Sequence, residues 1–327
     1  MPEAILGKLK RNLQKNANLV SVGALILGIG AVMSFTGETF LTINNISNIL
    51  LQSTMIIAIG IGMTFILITG EIDLSAGSMM AISSLLVGEF VVKGGLNPII
   101  GCFVCIAIGI LCGVANGVMV AKLNMMPFLV TLGTMSVYRG IGQSWVDGDV
   151  VYELPSELMV AGAGTIGKFP LAFVIVFVLC FVSWIILKYT SFGTYIYAIG
   201  GNEQAAKLSG ISVNKIKIGS YAIGGLMFGV AGLILLGRMG GTYLLAGSGF
   251  ELYGITACAV GGVSLYGGEG NVWGALLGGI FVQLIRNSMT QLNVPNATQM
   301  AINGIVIIAA VAVDCLRRNL NEKRLRS

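Results

Sequence analysis

The sequence predicts an all-α protein: a polytopic membrane helix bundle of about ten transmembrane helices with both termini in the cytoplasm. Of its 327 residues, 55% are hydrophobic and only 10% are charged, whereas a soluble domain carries about 25% charged residues. The mean hydropathy is +0.89. A soluble core this apolar would have too little polar surface to cover it, so we expect an integral membrane protein with many spans.

Ten apolar segments carry this prediction, since a helix needs about 20 apolar residues to cross the hydrocarbon core. They are 19–35, 46–69, 75–92, 98–121, 126–145, 169–187, 216–236, 251–266, 272–290 and 297–315. The third and eighth are short, glycine-rich and flanked by acidic residues, so either is a candidate for a broken helix. No domain boundary is visible. We therefore treat residues 1–327 as one transmembrane domain with its membrane bundle at 19–315.

Lysine and arginine give the orientation of the bundle. If the N-terminus is cytoplasmic and the spans alternate, 14 of the 19 basic residues fall on the cytoplasmic side. Basic residues are enriched in cytoplasmic loops, so this orientation places loop 188–215 inside and loop 146–168 outside. The net charge of +5 is then a consequence of topology. The charge gives no reason to expect a nucleic-acid partner, and the partner that the apolar composition implies is membrane lipid.

Glycines recur every four residues in three of the apolar segments. They are Gly109, Gly113 and Gly117, the pair Gly225 and Gly229, and the pair Gly274 and Gly278. Small residues at this spacing let the backbones of two helices approach closely. The spacing predicts tight packing inside the chain, with contact to a second subunit as the alternative.

The inner loop contains a polar, turn-bounded segment, GGNEQAAKLSG, at residues 200–210. Asn202 is a good N-cap. Glu203 puts negative charge in the first turn and Lys207 puts positive charge in the last, as the helix dipole favours. Gly210 suits the left-handed position just after a helix. The pattern predicts a helix of about two turns.

Such a helix is too short to be stable alone in water. Ala205 and Ala206 are strong helix formers with little bulk, so the helix can lie close against a neighbouring surface. Two interpretations remain open from these residues: a loop lying on its own bundle, or a lever docked in a groove of a partner protein.

Two polar segments with acidic residues interrupt the apolar runs. Glu71, Asp73 and Ser75 lie between the second and third segments, and Glu269 and Asn271 lie between the eighth and ninth. Ionisable groups at such depths are costly and are often functional. Asp73 and Ser75 are also placed to cap the following helix. Helix capping and a role as a gate or substrate contact are the two interpretations of these five residues.

No residue pattern indicates catalysis. The chain has no histidine and no paired nucleophile and base. Cys102 and Cys105 have a spacing seen in metal and redox sites, but they lie mid-span with no partner pair and are expected to be packing residues. We therefore expect no catalytic residue, no metal site and no bound cofactor. It also lacks the G-x-x-x-x-G-K-[ST] phosphate loop. If transport through this bundle uses ATP and Mg²⁺, a separate ATPase subunit binds them.

Four blocks of residues between about 45 and 313, taken together in their order along the chain, match the sequence pattern of a known family. They are 69–78 (TGEIDLSAGS), then 115–117 with 127–128, 131–134 and 139–140, then 197–202 with 205–206, 209–211 and 215, and last 251–252 with 261–262, 264–265, 267–268 and 270. With these blocks the chain resembles the permease subunit of ABC importers for monosaccharides, the ribose, xylose and galactoside type. One departure is Thr194, where a basic residue is expected.

The resemblance implies a subunit of a bacterial plasma (inner) membrane that forms the path for a ribose-like sugar. Its implied partners are cytoplasmic ABC ATPase subunits, a periplasmic or lipid-anchored sugar-binding protein, and a second permease subunit, identical or a sister chain. The helix at 202–210 would be the coupling helix. The residues implied in ATPase coupling are Asn202, Glu203, Ala205, Ala206 and Gly210.

Two alternatives stand beside the sugar permease. One is a permease of the same family with a non-sugar cargo, such as a furanone of the autoinducer-2 type, a nucleoside or a branched-chain amino acid. The other is an ion-coupled secondary transporter, with broken helices at Glu71, Asp73 and Glu269.

Overall fold

The structure is a computed structural model that describes residues 17–36, 39–147, 150–243 and 245–326. Its first five helices are α1 (Ala17–Thr36), α2 (Ile43–Ile68), α3 (Ala76–Val92), α4 (Pro98–Ala121) and α5 (Pro127–Trp145). The short helix α6 (Ser156–Ala163) follows, and then the two-residue strands β1 (Thr165–Ile166) and β2 (Phe169–Pro170), which pair antiparallel. The remaining helices are α7 (Leu171–Tyr189), α8 (Ser191–Gly201), α9 (Glu203–Leu208), α10 (Val213–Met239), α11 (Phe250–Val260), α12 (Val272–Gln291) and α13 (Asn296–Arg326).

The helical prediction is confirmed for the described residues, since every one of the ten apolar segments overlaps a helix. Within this part of the chain, four helices are long and apolar enough to cross a membrane: α2, α4, α7 and α10. Four shorter apolar helical stretches accompany them: Leu19–Phe35, Ala76–Val92, Phe250–Val260 and Ala297–Ala312. Lys8, Lys10, Arg11 and Lys15, on which part of the orientation depends, lie outside the described residues.

The prediction for the eighth segment, 251–266, is wrong at its end. Helix α11 stops at Val260, and the chain turns through Gly262, Gly267 and Gly268, all with positive φ. Glycine adopts this backbone region without the steric cost that a Cβ brings. The break lies in a segment that the sequence already marks as glycine-rich and a candidate for a broken helix.

Helices α2 and α10 form the centre of the bundle, and most of their residues are buried. Helix α10 crosses α4 through small residues on both sides. A Cβ at Gly113 would collide with the carbonyl of Tyr221 and meet Gly225, and one at Gly109 would collide with Gly225 and Gly229. The predicted close packing within the chain is therefore confirmed. The other glycine pair also packs inside the chain: Gly278 meets Ala257 of α11, and Gly274 meets Gly261, the residue after that helix.

Candidate functional site

The predicted short helix in the inner loop is present as α9. The Asn202 side chain accepts a hydrogen bond from the Ala205 amide at 2.9 Å, which is the N-cap geometry. Glu203 occupies the first turn of the helix. The chain leaves the helix through Gly210, whose φ is +84°. Each capping residue identified in the sequence thus has the expected conformation.

Helix α9 has an inner and an outer face. Ala206 is 4% exposed and packs with Ile199 of α8 and Val213 of α10. Ala205 is exposed, and Leu208 is 90% exposed. A leucine so exposed on a six-residue helix leaves an apolar surface that the described part of this chain does not cover. Of the six residues of α9, Ala206 is the buried one that anchors the helix to the bundle.

Lys217 joins α9 to the segment between α2 and α3. Its Nζ lies 2.7 Å from Oε1 of Glu71 and donates to Oε2 of Glu203 at 2.9 Å. The Glu71 side chain is 4% exposed, that of Lys217 is 13% exposed and that of Glu203 is 54% exposed. One ammonium therefore connects a buried carboxylate to a carboxylate at the protein surface.

The pairing explains how Glu71 is accommodated. Burial raises the pKa of the Glu71 carboxyl above its ordinary value, and the charge of Lys217 acts against this rise. Removing one partner of a buried ion pair costs about 3–5 kcal/mol, because the other charge is left buried without compensation. From the sequence, Lys217 counts only among the basic residues that orient the bundle. Its position inside the predicted span at 216–236 is a further signal, because a charged residue within a span is often functional.

Asp73 and Ser75 belong to a second, fully buried group of polar side chains. Asp73 Oδ1 accepts from the Ser75 amide at 2.7 Å and from the Ser75 hydroxyl at 2.6 Å. Asn116 of α4 donates to Ser75 Oγ at 2.8 Å and to Asp73 Oδ2 at 3.4 Å. The hydroxyl of Tyr138 on α5 donates to Asn116 Oδ1 at 3.0 Å. Four polar residues on three elements are thereby linked.

This network corrects the capping interpretation of Ser75. Ser75 occupies the N-cap position of α3, but its side chain makes no capping bond and is used by Asp73 and Asn116 instead. The Asp73 carboxylate is fully buried and is held by the bonds from Ser75 and Asn116. Asn116 lies five residues before the end of α4, so at 1.5 Å per residue the network is about 8 Å inside that helix end.

The segment at 264–271 packs on the end of α2 through backbone atoms. The Gly268 amide donates to the Ile68 carbonyl at 2.9 Å. A Cβ at Gly200, at the end of α8, would collide with that carbonyl and with the Gly268 amide. A Cβ at Gly267 would be within 2.9 Å of Gly70. Three elements therefore meet here through their main chains.

Glu269 and Asn271 do not join the buried groups. Glu269 is exposed, and its carbonyl accepts from the Ser264 amide at 3.0 Å. Asn271 is the N-cap of α12 and accepts from the Trp273 amide at 3.1 Å. Asn271 thus has a capping geometry, and Glu269 is exposed where Glu71 is buried.

The N-terminal ends of α3 and α11 lie side by side. A Cβ at Gly77 would collide with the Gly247 carbonyl and the Glu251 carboxylate. Arg139 of α5 donates to the Ala246 carbonyl at 3.3 Å. Two helices that begin after a break, α3 and α11, are thus held together where they start.

Known proteins match the part of the chain that contains these features. The family model described as the permease component of the branched-chain amino acid transport system matches residues 45–311. The chain belongs to this family. The match spans the α2–α3 break, α9 and the 264–271 segment, so every group described above lies inside the shared region of the permease.

Import permeases are among the permease's curated relatives. The ribose import permease protein RbsC of Haemophilus influenzae is 38% identical over 89% of this chain and 91% of its own length. The RbsC of Bacillus subtilis is 37% identical over 90% and 91%. The autoinducer 2 import system permease protein LsrC of Escherichia coli is 30% identical over 96% and 91%. The chain is accordingly a transport permease and not an enzyme.

No solved structure matches the chain.

Proposed function

We propose that this chain is the membrane-spanning permease subunit of an ATP-driven ABC importer and forms the translocation path for a ribose-like monosaccharide. The observation that supports ribose as the cargo is the 35–38% identity of this chain with ribose import permeases from three bacterial species, over about nine-tenths of both chains. The autoinducer-2 permease is less similar, at 30%. Another cargo of the same family is therefore the second choice.

The proposal includes the arrangement in the membrane. Ten spans with both termini in the cytoplasm account for the ten helices that overlap apolar segments and for the distribution of basic residues. The location is then the bacterial inner membrane. Green fluorescent protein fused after Ser327 should fluoresce, because it folds only in the cytoplasm, whereas active alkaline phosphatase at this position would contradict the orientation.

The partners follow from the proposed class. The chain has no phosphate loop, so ATP and Mg²⁺ are bound by cytoplasmic ABC ATPase subunits. A periplasmic or lipid-anchored binding protein delivers the sugar, and a second permease subunit completes the path. We assign α9 as the coupling helix that docks in the ATPase, because its outer face exposes Ala205 and Leu208 without cover from the described part of this chain.

The test is uptake of radiolabelled D-ribose into proteoliposomes that contain the permease with the ATPase and binding protein of the same importer. We expect uptake to require ATP and to continue after an ionophore has collapsed proton and sodium gradients. Uptake driven by a gradient without the ATPase would show a secondary transporter. ATP-dependent import of an autoinducer-2 furanone, with no import of ribose, would keep the ABC class and overturn the cargo.

A further inference from the structure

Helix α9 is attached to the α2–α3 break by a charged side chain of α10. Lys217 contacts Glu203 in the first turn of α9 and Glu71 in the break through the same Nζ atom, at 2.9 Å and 2.7 Å. The backbone contact of this region, at Gly200, lies before α9 begins. Asn202, between them, has an extended backbone with φ of −160° and ψ of 103°. Beyond Asn202, the two ion pairs of Lys217 connect α9 to the break.

The break is in turn connected to the interior. Glu71 is two residues from Asp73, which belongs to the network with Ser75, Asn116 and Tyr138. These side chains lie on the break, α4 and α5. The Thr131 hydroxyl of α5 also lies within hydrogen-bond distance of the Ile72 carbonyl, at 3.4 Å. A displacement of Glu71 therefore acts on the residues that hold α3, α4 and α5 together.

We propose that Lys217 is a positioning residue that transmits movement of α9 to the α2–α3 break, and through it to α4 and α5. The proposal rests on the proposed function, in which a partner ATPase moves α9. Glu203 is the exposed end of this connection and Glu71 its buried end. An ammonium on a four-carbon stem suits this role because it keeps both carboxylates while their separation changes.

The test uses the assembled importer in proteoliposomes and measures D-ribose imported per ATP hydrolysed. We expect Lys217→Met and Glu203→Gln each to lower this ratio about tenfold, within the range usual for coupling between two sites. The ATPase should still copurify with Lys217→Met, since the exposed side chains of α9 are unchanged. Because Glu203 is itself exposed on α9, the ratio for Glu203→Gln is measured on complexes that have retained the ATPase. Lys217→Arg keeps a positive charge of similar reach, so this variant should retain at least about half of the wild-type ratio of ribose imported to ATP hydrolysed.

Two further variants separate this role from structural support. Lys122→Met removes an exposed lysine from another loop of the same predicted side and should leave the ratio unchanged. If Lys217→Met fails to fold, Glu203→Gln decides, because Glu203 is mostly exposed and its loss should not destabilise the bundle. A wild-type ratio in Glu203→Gln or in a folded Lys217→Met would overturn the proposal.

A second readout does not depend on the cargo. Stimulation of ATP hydrolysis by the binding protein should be lost in Lys217→Met and Glu203→Gln and retained in Lys122→Met. A wild-type importer that hydrolyses ATP but imports no ribose contradicts the proposed cargo alone, and these hydrolysis rates still test Lys217. Unchanged stimulation in both Lys217→Met and Glu203→Gln would overturn the role of Lys217.

Discussion

Asn116 donates from its side-chain amide to Ser75 Oγ at 2.8 Å, which joins α4 to the residue that precedes α3. Both side chains are fully buried. A buried polar group without a partner costs about 1–3 kcal/mol of stability. Loss of this bond would therefore destabilise the protein mainly through the polar atoms left without a partner. Asn116 also serves Asp73 and Tyr138, and one substitution there affects three partners.

Asn116→Leu should lower the free energy of unfolding of the purified permease by about 1–3 kcal/mol. The Asp73 Oδ2 atom loses its amide donor in a buried site, and the hydroxyls of Ser75 and Tyr138 keep only their bonds to Asp73 and to the Cys112 carbonyl. Chemical unfolding in detergent measures this loss. The matched control is Tyr138→Phe, which removes one hydroxyl and should cost about 0.5–1.5 kcal/mol. Equal stability of Asn116→Leu and the wild type would contradict the network.

Asp73→Asn should keep transport. Its Oδ1 still accepts from the Ser75 amide and hydroxyl, so the loss of stability should stay below about 1 kcal/mol, and Asp73→Ala should lose about 1–3 kcal/mol. Ribose uptake in proteoliposomes is the second measurement. A stable Asp73→Asn without transport would show that the negative charge itself operates the gate.

Gly200→Ala should prevent correct assembly of the end of α8. The added Cβ would collide with the Ile68 carbonyl and the Gly268 amide, and overpacking of this kind costs about 1–3 kcal/mol or more. Gly201→Ala is the control, since a Cβ there has no atom within 4 Å. Size-exclusion profiles and unfolding midpoints of the two variants should differ, and identical profiles would argue against the close backbone contact.

Ala205→Arg and Ala206→Arg should fail in different ways. Ala205 is exposed, so its substitution should change stability by no more than about 0.5 kcal/mol while reducing copurification of the ATPase. Ala206 is buried against Ile199 and Val213, so Ala206→Arg should destabilise the loop itself. Pull-down with tagged ATPase and thermal unfolding measure the two effects. Full ATPase binding by Ala205→Arg would contradict docking through the outer face.

The sequence was sufficient for features that depend on local pattern. Apolar runs predicted the helices, and Asn202 with Gly210 predicted the bounds of α9, because capping depends on residues a few positions apart. Four-residue glycine spacing predicted close helix packing for the same reason.

Features that depend on distant pairing were not predictable from the sequence. Lys217 lies 14 residues from Glu203 and much farther along the chain from Glu71, so no spacing indicated their contact. Asn116 was part of a recognised block, but its hydrogen bonds to residues of the break appear only when α4 packs beside it. Glu71 and Glu269 both lie in polar segments between apolar runs, and only the packing of the chain shows that Glu71 is buried and Glu269 exposed.

The glycine contact between the ends of α2 and α8 and the 264–271 segment has a mechanical consequence. A side chain at an interface absorbs a small shift of its neighbour by changing rotamer. Gly200, Gly267 and Gly268 have no side chain to rotate, and the Ile68 carbonyl is part of the main chain. The junction consequently has few side-chain rotamers with which to absorb a displacement at the end of α8, and such a displacement is expected to shift the Ile68 carbonyl and the 264–271 segment with it.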